Sequence, residues 1–395
     1  MSKRVVVGLS GGVDSSVAAH LLLQQGYEVI GIFMRNWHDE SVTINNECPW
    51  IDDSNDAMLV AEHLGIPFQV LDLSAEYRKR IVDYMFAEYE AGRTPNPDVL
   101  CNREIKFDVF LKAAMNLGAD YVATGHYCRR SVSKGQDGKE LFHLLAGVDE
   151  TKDQSYFLCQ LNQDQLSKSL FPVGELRKSE VRKIAREIDL PNADKKDSQG
   201  LCFIGKVKLP VFLQQQLQPK KGKIVDVTHA EFQIPVLSGE MASDSLFELT
   251  KPHFFSPDNG SVIGEHEGAH FYTIGQRKGL GVGGRENPLF IVGTDTTQNI
   301  IYVAEGENHP ALNRPGLFIK TEDVHWINPE EAISVGQSAT FSVRIRYRQP
   351  LSSCQVYCRE EGLFVVFDHL QRGIAPGQFC VFYRGEEVAG SGVIS

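Results

Sequence analysis

The stretch Gly8-Leu9-Ser10-Gly11-Gly12-Val13-Asp14-Ser15-Ser16 constrains this chain more than any other. It follows the β-branched run Val5-Val6-Val7 and opens an amphipathic segment, Val17 to Gln25, that stops at Gly26. Strand, glycine turn and helix form a context in which backbone N–H groups and the helix dipole hold phosphate. The Walker loop needs a lysine before its final Ser or Thr, and here there is Asp14. Phosphate is therefore expected on N–H groups and hydroxyls, with Asp14 left to hold a magnesium ion.

The first half alternates strand and helix signals. Strands are expected at Glu28 to Met34, Phe68 to Leu73 and Tyr121 to Thr124. Helices are expected at Asp52 to Leu64, Ala75 to Ala91, Cys101 to Leu117 and Ser179 to Ile188, several of them ended by glycine. Alternation at this spacing predicts an α/β fold, a doubly wound parallel sheet with its ligand at the carboxyl ends of the strands. After about residue 206 the helical period fades. Short β-rich runs follow at Lys223 to Val227, His270 to Ile274, Leu289 to Val292 and Ile300 to Val303. From about 308 the pattern is all strand: Gly316 to Lys320, Ser338 to Arg346, Cys354 to Cys358, Leu363 to Phe367 and Gln378 to Tyr383. The division expected is 1–206 for the nucleotide domain, 207–307 for a small mostly-β central domain, and 308–395 for a C-terminal β-barrel.

A net charge of −11 argues against a general polyanion binder, although local basic patches can still meet RNA. No apolar run approaches the ~18 residues of a membrane span, and the first strand begins too early for a leader, so a cytoplasmic protein is expected. Eight cysteines without a CxxC pair suggest thiol chemistry or buried thiols rather than zinc or a disulfide framework.

Other segments carry chemistry. In Gly92-Arg93-Thr94-Pro95-Asn96-Pro97-Asp98-Val99-Leu100-Cys101-Asn102, two prolines stiffen the turn and Cys101 falls near a helix start with Lys106 a turn beyond. Both features favour thiolate, and Asp98 is placed to move a proton. A bland reading, a capping Asp and a buried Cys, is about even for either residue alone. The polar loop Lys195 to Gly205 carries Cys202, which suits delivery of a sulfur atom. Taken in isolation, however, Cys202 reads better as a small buried hydrophobe. Thr124-Gly125-His126-Tyr127 ends a strand; Gly125 permits close approach, and His126 offers a bond to phosphate or base. Met34 lies where an adenine would rest. Further motifs are Lys152-Asp153-Gln154-Ser155, Gly275 to Gly281, and Arg344, Arg346, Tyr347 and Arg348 with Pro376-Gly377-Gln378 downstream. Alternate arginines on a strand share a face, where they would grip RNA while Tyr347 stacks a base. A solvated barrel face is an equal alternative.

The loop resembles the PP-loop of ATP pyrophosphatases, of the adenine nucleotide α-hydrolase kind. The whole set resembles the tRNA-specific 2-thiouridylase family: SGGVDSS, AGRTPNPDxLCNxxIKF, ATGHY, KDQSYFL, FPVGELRKxEVRKIA, KKDSxGxCFIG, GQRKGLGxGG, RYRQ and APGQ, in this order. The resemblance implies ATP-dependent 2-thiolation of the wobble uridine of tRNA. Cys202 would carry a persulfide received from a sulfur-donor protein, Cys101 would finish the transfer or resolve a disulfide with Cys202, and Asp98 would serve as acid and base. It further implies an ATP site at Gly8, Leu9, Ser10, Gly11, Gly12, Val13, Asp14, Ser15, Met34 and Gly125. Asn96, Pro97 and Asp98 would form the target-base pocket, and His126, Lys152, Asp153, Gln154, Arg346, Tyr347 and Gln378 would touch tRNA. One region departs from the family pattern: an acidic insertion at roughly 228–261. Three rivals remain: a PP-loop ligase or amidotransferase that needs neither cysteine, an RNA-binding protein without catalysis, and a thiolase of another tRNA position.

Overall fold

The computed structural model describes residues 2–36, 49–197, 209–214, 216–232, 234 and 243–395. Cys48, Cys202, most of the 195–205 loop and part of the 228–261 insertion lie outside the described residues.

Strand β1 (Arg4–Gly8) is the sheet's centre, with Val5, Val6 and Val7 wholly buried, as a parallel strand covered on both faces should be. It runs through the glycine turn into α1 (Val13–Gln24), which ends before left-handed Gly26. Then come β2 (Glu28–Arg35), α2 (Pro49–Leu64) and β3 (Phe68–Asp72). The expected long helix from Ala75 is α3 (Ser74–Tyr77) and α4 (Asp83–Glu90) joined by a wider π-type turn, Arg78–Val82. The next helix starts earlier than its pattern suggests. Pro97 opens α5 (Pro97–Leu100) under an Asn96 cap that accepts from Val99 N–H at 3.2 Å. A π-type segment, Cys101–Val109, kinked at Phe107, then leads into α6 (Phe110–Asn116). After β4 (Tyr121–Ala123) comes an unforeseen hairpin, β5 (Cys128–Lys134) and β6 (Glu140–Ala146). Helix α7 (Gln163–Ser167), strand β7 (Ser169–Leu170) and helix α8 (Lys178–Glu187) complete this part. The sheet is parallel throughout in the order β3-β2-β1-β4-β7, so α1 and the β4 turn share its carboxyl edge.

The middle of the chain holds α9 (Leu209–Leu213), β8 (Gly222–Asp226), α10 (Ser243–Thr250), β9 (Ser261–His266), β10 (Leu289–Asp295) and β11 (Ile300–Glu305). Its four strands pair as β10-β11-β8-β9. The strand expected at His270 to Ile274 is not formed. That segment begins as a 3-10 turn, Ala269–Phe271, entered through Gly268 and left through Gly275, both at positive φ.

The C-terminal strands are β12 (Asn313–Lys320), β13 (Val324–Trp326), β14 (Ser338–Arg344), β15 (Ser352–Arg359), β16 (Gly362–Arg372), β17 (Phe379–Arg384) and β18 (Glu387–Val393). They form an antiparallel sheet, β12-β16-β15-β14-β17-β18, around Leu317, Phe341, Val356, Val365 and Phe382. The sheet curls until Ile319 of β12 lies against Gly392 of β18, giving the expected barrel. Beyond β18 the sheet continues into β6 and β5 from the first part of the chain. Arg129 bonds Glu386, His143 bonds Glu387, and Ala146 N–H donates to the Glu386 carbonyl.

Candidate nucleotide and RNA site

The glycine turn is shaped by close approach. Gly11 has φ +73°, and a Cβ there would lie 2.2 Å from the Asp53 carbonyl of α2, so only glycine fits. Gly125, after β4, packs on the start of α1, where a Cβ would meet Ser15 N at 2.6 Å. Hydroxyls brace the turn: Ser10 N–H donates to Ser15 Oγ at 3.1 Å, and Ser15 Oγ donates to the Gly12 carbonyl at 3.0 Å. Asn192, which the sequence did not single out, donates from Nδ2 to the Gly11 carbonyl and Ser16 Oγ, each at 3.0 Å. The result is an anion cradle of N–H groups at a helix N-terminus, lined by hydroxyls, which fits a polyphosphate. Leu9 and Val13 are buried beneath it, and Met34 is buried with its Cε 3.1 Å from a Cβ placed on Gly8.

Asp14 is not the free ligand the sequence suggested. Its carboxylate accepts from Lys178 Nζ at 2.7 and 2.9 Å and from Tyr127 Oη at 2.7 Å. Lys178 also pairs with Asp197, which takes Lys152 and Arg182 as well. Burial works against the Asp197 charge, but hydrogen bonds from Lys152 and Lys178 hold its pKa well below the usual carboxylate range. Lys195 bonds Asp53 and Asp56 of α2. The KDQS and KKDS motifs therefore meet beside the glycine turn, joined by Lys178 of the FPVGELRKxEVRKIA motif. Among the described residues, no cluster of three or more His, Cys, Asp or Glu is arranged to hold a metal ion.

The helical segment that follows the proline-stiffened turn reaches the same edge. Lys106, on the Cys101–Val109 segment, places Nζ 3.4 Å from His126 Nε2, and Phe110 lies under Gly8. His126 Nδ1 meets Thr124 Oγ1 at 2.7 Å, and burial followed by the Lys106 charge pushes the imidazole pKa well down, so it is neutral. Cys101 is wholly buried in the apolar core, five residues into the helical run rather than at its N-terminus. Asp98 is half-buried, and its carbonyl accepts from Asn102 Nδ2 at 3.0 Å.

The C-terminal part reaches this turn directly. Gln378 Nε2 donates to the Thr94 and Pro95 carbonyls at 2.9 and 3.1 Å, and Asn96 Nδ2 donates to Gln378 Oε1 at 3.3 Å. Thr94 N–H donates to the Pro376 carbonyl at 2.8 Å. Asn96, expected in the base pocket, and Gln378, expected among the tRNA contacts, are thus neighbours. Tyr347 packs on Phe157 with ring centroids 4.3 Å apart. The arginine ladder is different from its reading. Strand β14 ends at Arg344, and Arg348 takes φ +66°, so 344, 346 and 348 do not share a strand face. Arg344 instead pairs with buried Asp153 at 2.6 Å, and Arg346 donates to the Ile274 and Gly373 carbonyls. Asp153 also accepts from Gly147 and Ser155 N–H, and Gln154 accepts from Tyr127 N–H.

A parallel sheet with a lysine-free glycine turn between its central strand and first helix defines a nucleotide-binding α/β protein of the PP-loop kind. Family models agree along most of the chain: residues 3–206 match a tRNA methyl transferase HUP domain, 247–305 the PRC-barrel domain of that group, and 318–394 an aminomethyltransferase beta-barrel domain. The chain is 59% identical to the tRNA-specific 2-thiouridylase MnmA of Christiangramia forsetii and 58% identical to that of Flavobacterium johnsoniae, over the whole of each chain. Among solved structures it is similar to a 4-thiouridine synthetase in complex with RNA and bound ATP, at TM-score 0.31 and 17% identity, over 54% of this chain and 50% of that one. This chain belongs to the tRNA-specific 2-thiouridylase family.

Proposed function

We propose that this chain is a sulfurtransferase that uses ATP and magnesium to replace the 2-oxygen of the wobble uridine, position 34, of tRNA with sulfur. The observation that supports the reading is one shared edge: at the carboxyl ends of β1 and β4, beside the phosphate cradle at Gly11–Ser15, the helical segment that follows the Asn96–Cys101 turn brings Lys106 to His126 and Phe110 to Gly8. A carbonyl oxygen is a poor leaving group, and ATP supplies the activation that lets it depart.

The residues then divide the work. The Ser10 and Gly11–Ser15 turn, with Gly8, Leu9 and Gly125 shaping it, holds phosphates, and Met34 supports the adenine. Asp14 would hold the magnesium that arrives on the ATP phosphates, in exchange for Lys178 Nζ. Asn96 and Pro97 line the base pocket, and Asp98 moves a proton. A base in a single-stranded anticodon loop is splayed into such a pocket at little cost. His126, Lys152, Asp153, Gln154, Arg346, Tyr347 and Gln378 are assigned to the tRNA side. For Asp153 and Arg346 that role is to hold loops in place, since their polar atoms are engaged within the protein. Cys202 receives persulfide sulfur from a donor protein in the cytoplasm, and Cys101 completes the transfer. Cys101 is wholly buried and begins a π-type segment, a backbone form that recurs at functional sites.

The test is a thiolation assay with purified protein, ATP, magnesium, a sulfur source and unmodified tRNA bearing a wobble uridine, read as retardation on a mercury-containing gel. The expected result is an ATP-dependent shift that vanishes in Cys101→Ser and, with a persulfide donor, in Cys202→Ser. No shift while ATP still binds would overturn the reading in favour of another adenylated substrate. Full activity of the double serine variant would point to a ligase or amidotransferase.

A further inference from the structure

Where the three parts of the chain meet there is a cavity of about 240 Å³, lined by Gly92 and Arg93 of the proline turn, by His253, Phe255 and Gly293 of the middle part, and by Arg314, Ile374 and Pro376 of the barrel. Most of its wall is apolar or backbone, and Arg314 stands out. The side chain lies at the start of β12, and the residue is only 6% exposed. One Nη donates to the Thr250 carbonyl at the end of α10, while the buried Nε has no hydrogen-bond partner. Among the described residues no carboxylate lies within 4 Å of it.

Two half-buried arginines of this chain are better matched: Arg344 pairs with Asp153, and Arg346 donates to two carbonyls. A guanidinium withdrawn from water without a counter-charge costs several kcal/mol, so an unbalanced one at a cavity wall is a binding feature rather than a packing one. Burial alone pulls the pKa of Arg314 down to about 10, still charged at neutral pH. His253 lines the same cavity; its Nε2 makes no well-formed hydrogen bond, though the backbone of Asn313 and Pro310 approaches the ring. Burial and the Arg314 charge keep its imidazole neutral, a state that an arriving anion would reverse.

We propose that this three-way cavity binds a phosphate-class oxyanion, held by Arg314 with His253 taking up a proton beside it. The ligand neutralises the guanidinium and ties the proline turn to the two β-rich parts through one shared contact. Free phosphate and a phosphate of the RNA backbone have the same chemistry here. The site is separate from the glycine turn, and the inference does not depend on the thiolation reading.

The test uses the full chain with its glycine turn saturated by a non-hydrolysable ATP analogue, titrated with inorganic phosphate by calorimetry. The expected result is one further phosphate per chain, weakened at least tenfold in Arg314→Met and severalfold in His253→Gln, with analogue affinity and thermal midpoint of the second variant unchanged. Absence of that phosphate in the unaltered protein would overturn the proposal, as would equal binding by both variants. If Arg314→Met does not fold, His253→Gln decides alone. Adding tRNA separates the sources: displacement of phosphate by tRNA, with weaker tRNA binding in the variants, identifies an RNA phosphate, and unchanged phosphate binding identifies the free anion.

Discussion

Replacing Gly125 by alanine tests whether the close fit of β4 against the start of α1 shapes the phosphate cradle. Gly125 is not in a left-handed conformation, so alanine brings no backbone strain and its effect comes from contact alone. The new methyl would sit 2.6 Å from Ser15 N, 2.7 Å from the Asp14 carbonyl carbon and 3.0 Å from Asp14 Cβ. Backbone atoms cannot swing aside as a side chain would, so β4 and α1 must part by about 0.8 Å to reach ordinary contact. Overpacking of this size costs about 1–3 kcal/mol, which lowers the melting midpoint by several degrees. The larger effect falls on the nucleotide. On the proposed reading the Ser15 N–H is one of the groups that face phosphate, and a misplacement near 1 Å costs on the order of 100-fold in rate. We expect the ATP affinity measured by calorimetry to fall by about 10-fold or more, equivalent to about 1.4 kcal/mol. An alanine variant that melts earlier yet binds ATP as tightly as the unaltered protein would refute the reasoning.

Asp153→Ala strands Arg344 and should destabilise the fold by about 3–5 kcal/mol in urea unfolding. Adding Arg344→Met should return part of that loss, and a strictly additive double variant would mean that the pair is not coupled. Gln378→Ala removes the hydrogen bonds to Thr94 and Pro95. It should cost about 1–2 kcal/mol and raise the KM for tRNA while leaving ATP affinity alone, as read from initial rates. His126, His253, His266, His270 and His325 all have lowered pKa values, with burial the first cause in each. The folded chain therefore binds these protons less well than the unfolded one, so stability is full above about pH 6.5 and drains away as pH falls through that value. The urea midpoint should be lower at pH 5.5 than at pH 7.5, with a shallower dependence in His126→Gln; a midpoint that rises on acidification would contradict this.

The parts of the fold readable in sequence were those ruled by local pattern. Val5-Val6-Val7 before a glycine turn, glycines closing helices, and alternation in the barrel all act within a few residues, and each formed the expected element. Long-range pairing left little local trace. Nothing in Cys128–Lys134 or Glu140–Ala146 announces that this hairpin will extend a sheet made from the other end of the chain. The site divides in the same way. Asn96 and Gln378 were each singled out from their own motif, but their contact was not legible, because the hydrogen bond that joins them spans 282 residues. The engagement of Asp14 by Lys178, and of Asp153 by Arg344, was hidden because a charge on its own looks alike whether it faces ligand or partner. Arg344, Arg346 and Arg348 misled because period-2 reasoning holds only while a strand lasts, and this one stops at Arg344.

The hairpin β5–β6 has a bearing on how the chain comes to be made. His143 and its partner Glu387 are 244 residues apart, and β18, which lies between the barrel and the hairpin, comes last among the strands. During synthesis the hairpin therefore emerges with one edge unpaired long before the strand that covers it exists. Val132, half exposed even in the finished fold, adds an apolar side chain to that ribbon. The charged residues Arg129, Arg130, Lys134 and Glu140 along the hairpin make it a poor template for stray strands while it waits. Completion of the nucleotide part and closure of the barrel are consequently one late event, and a chain cut short before β18 would leave both ends of the molecule unfinished.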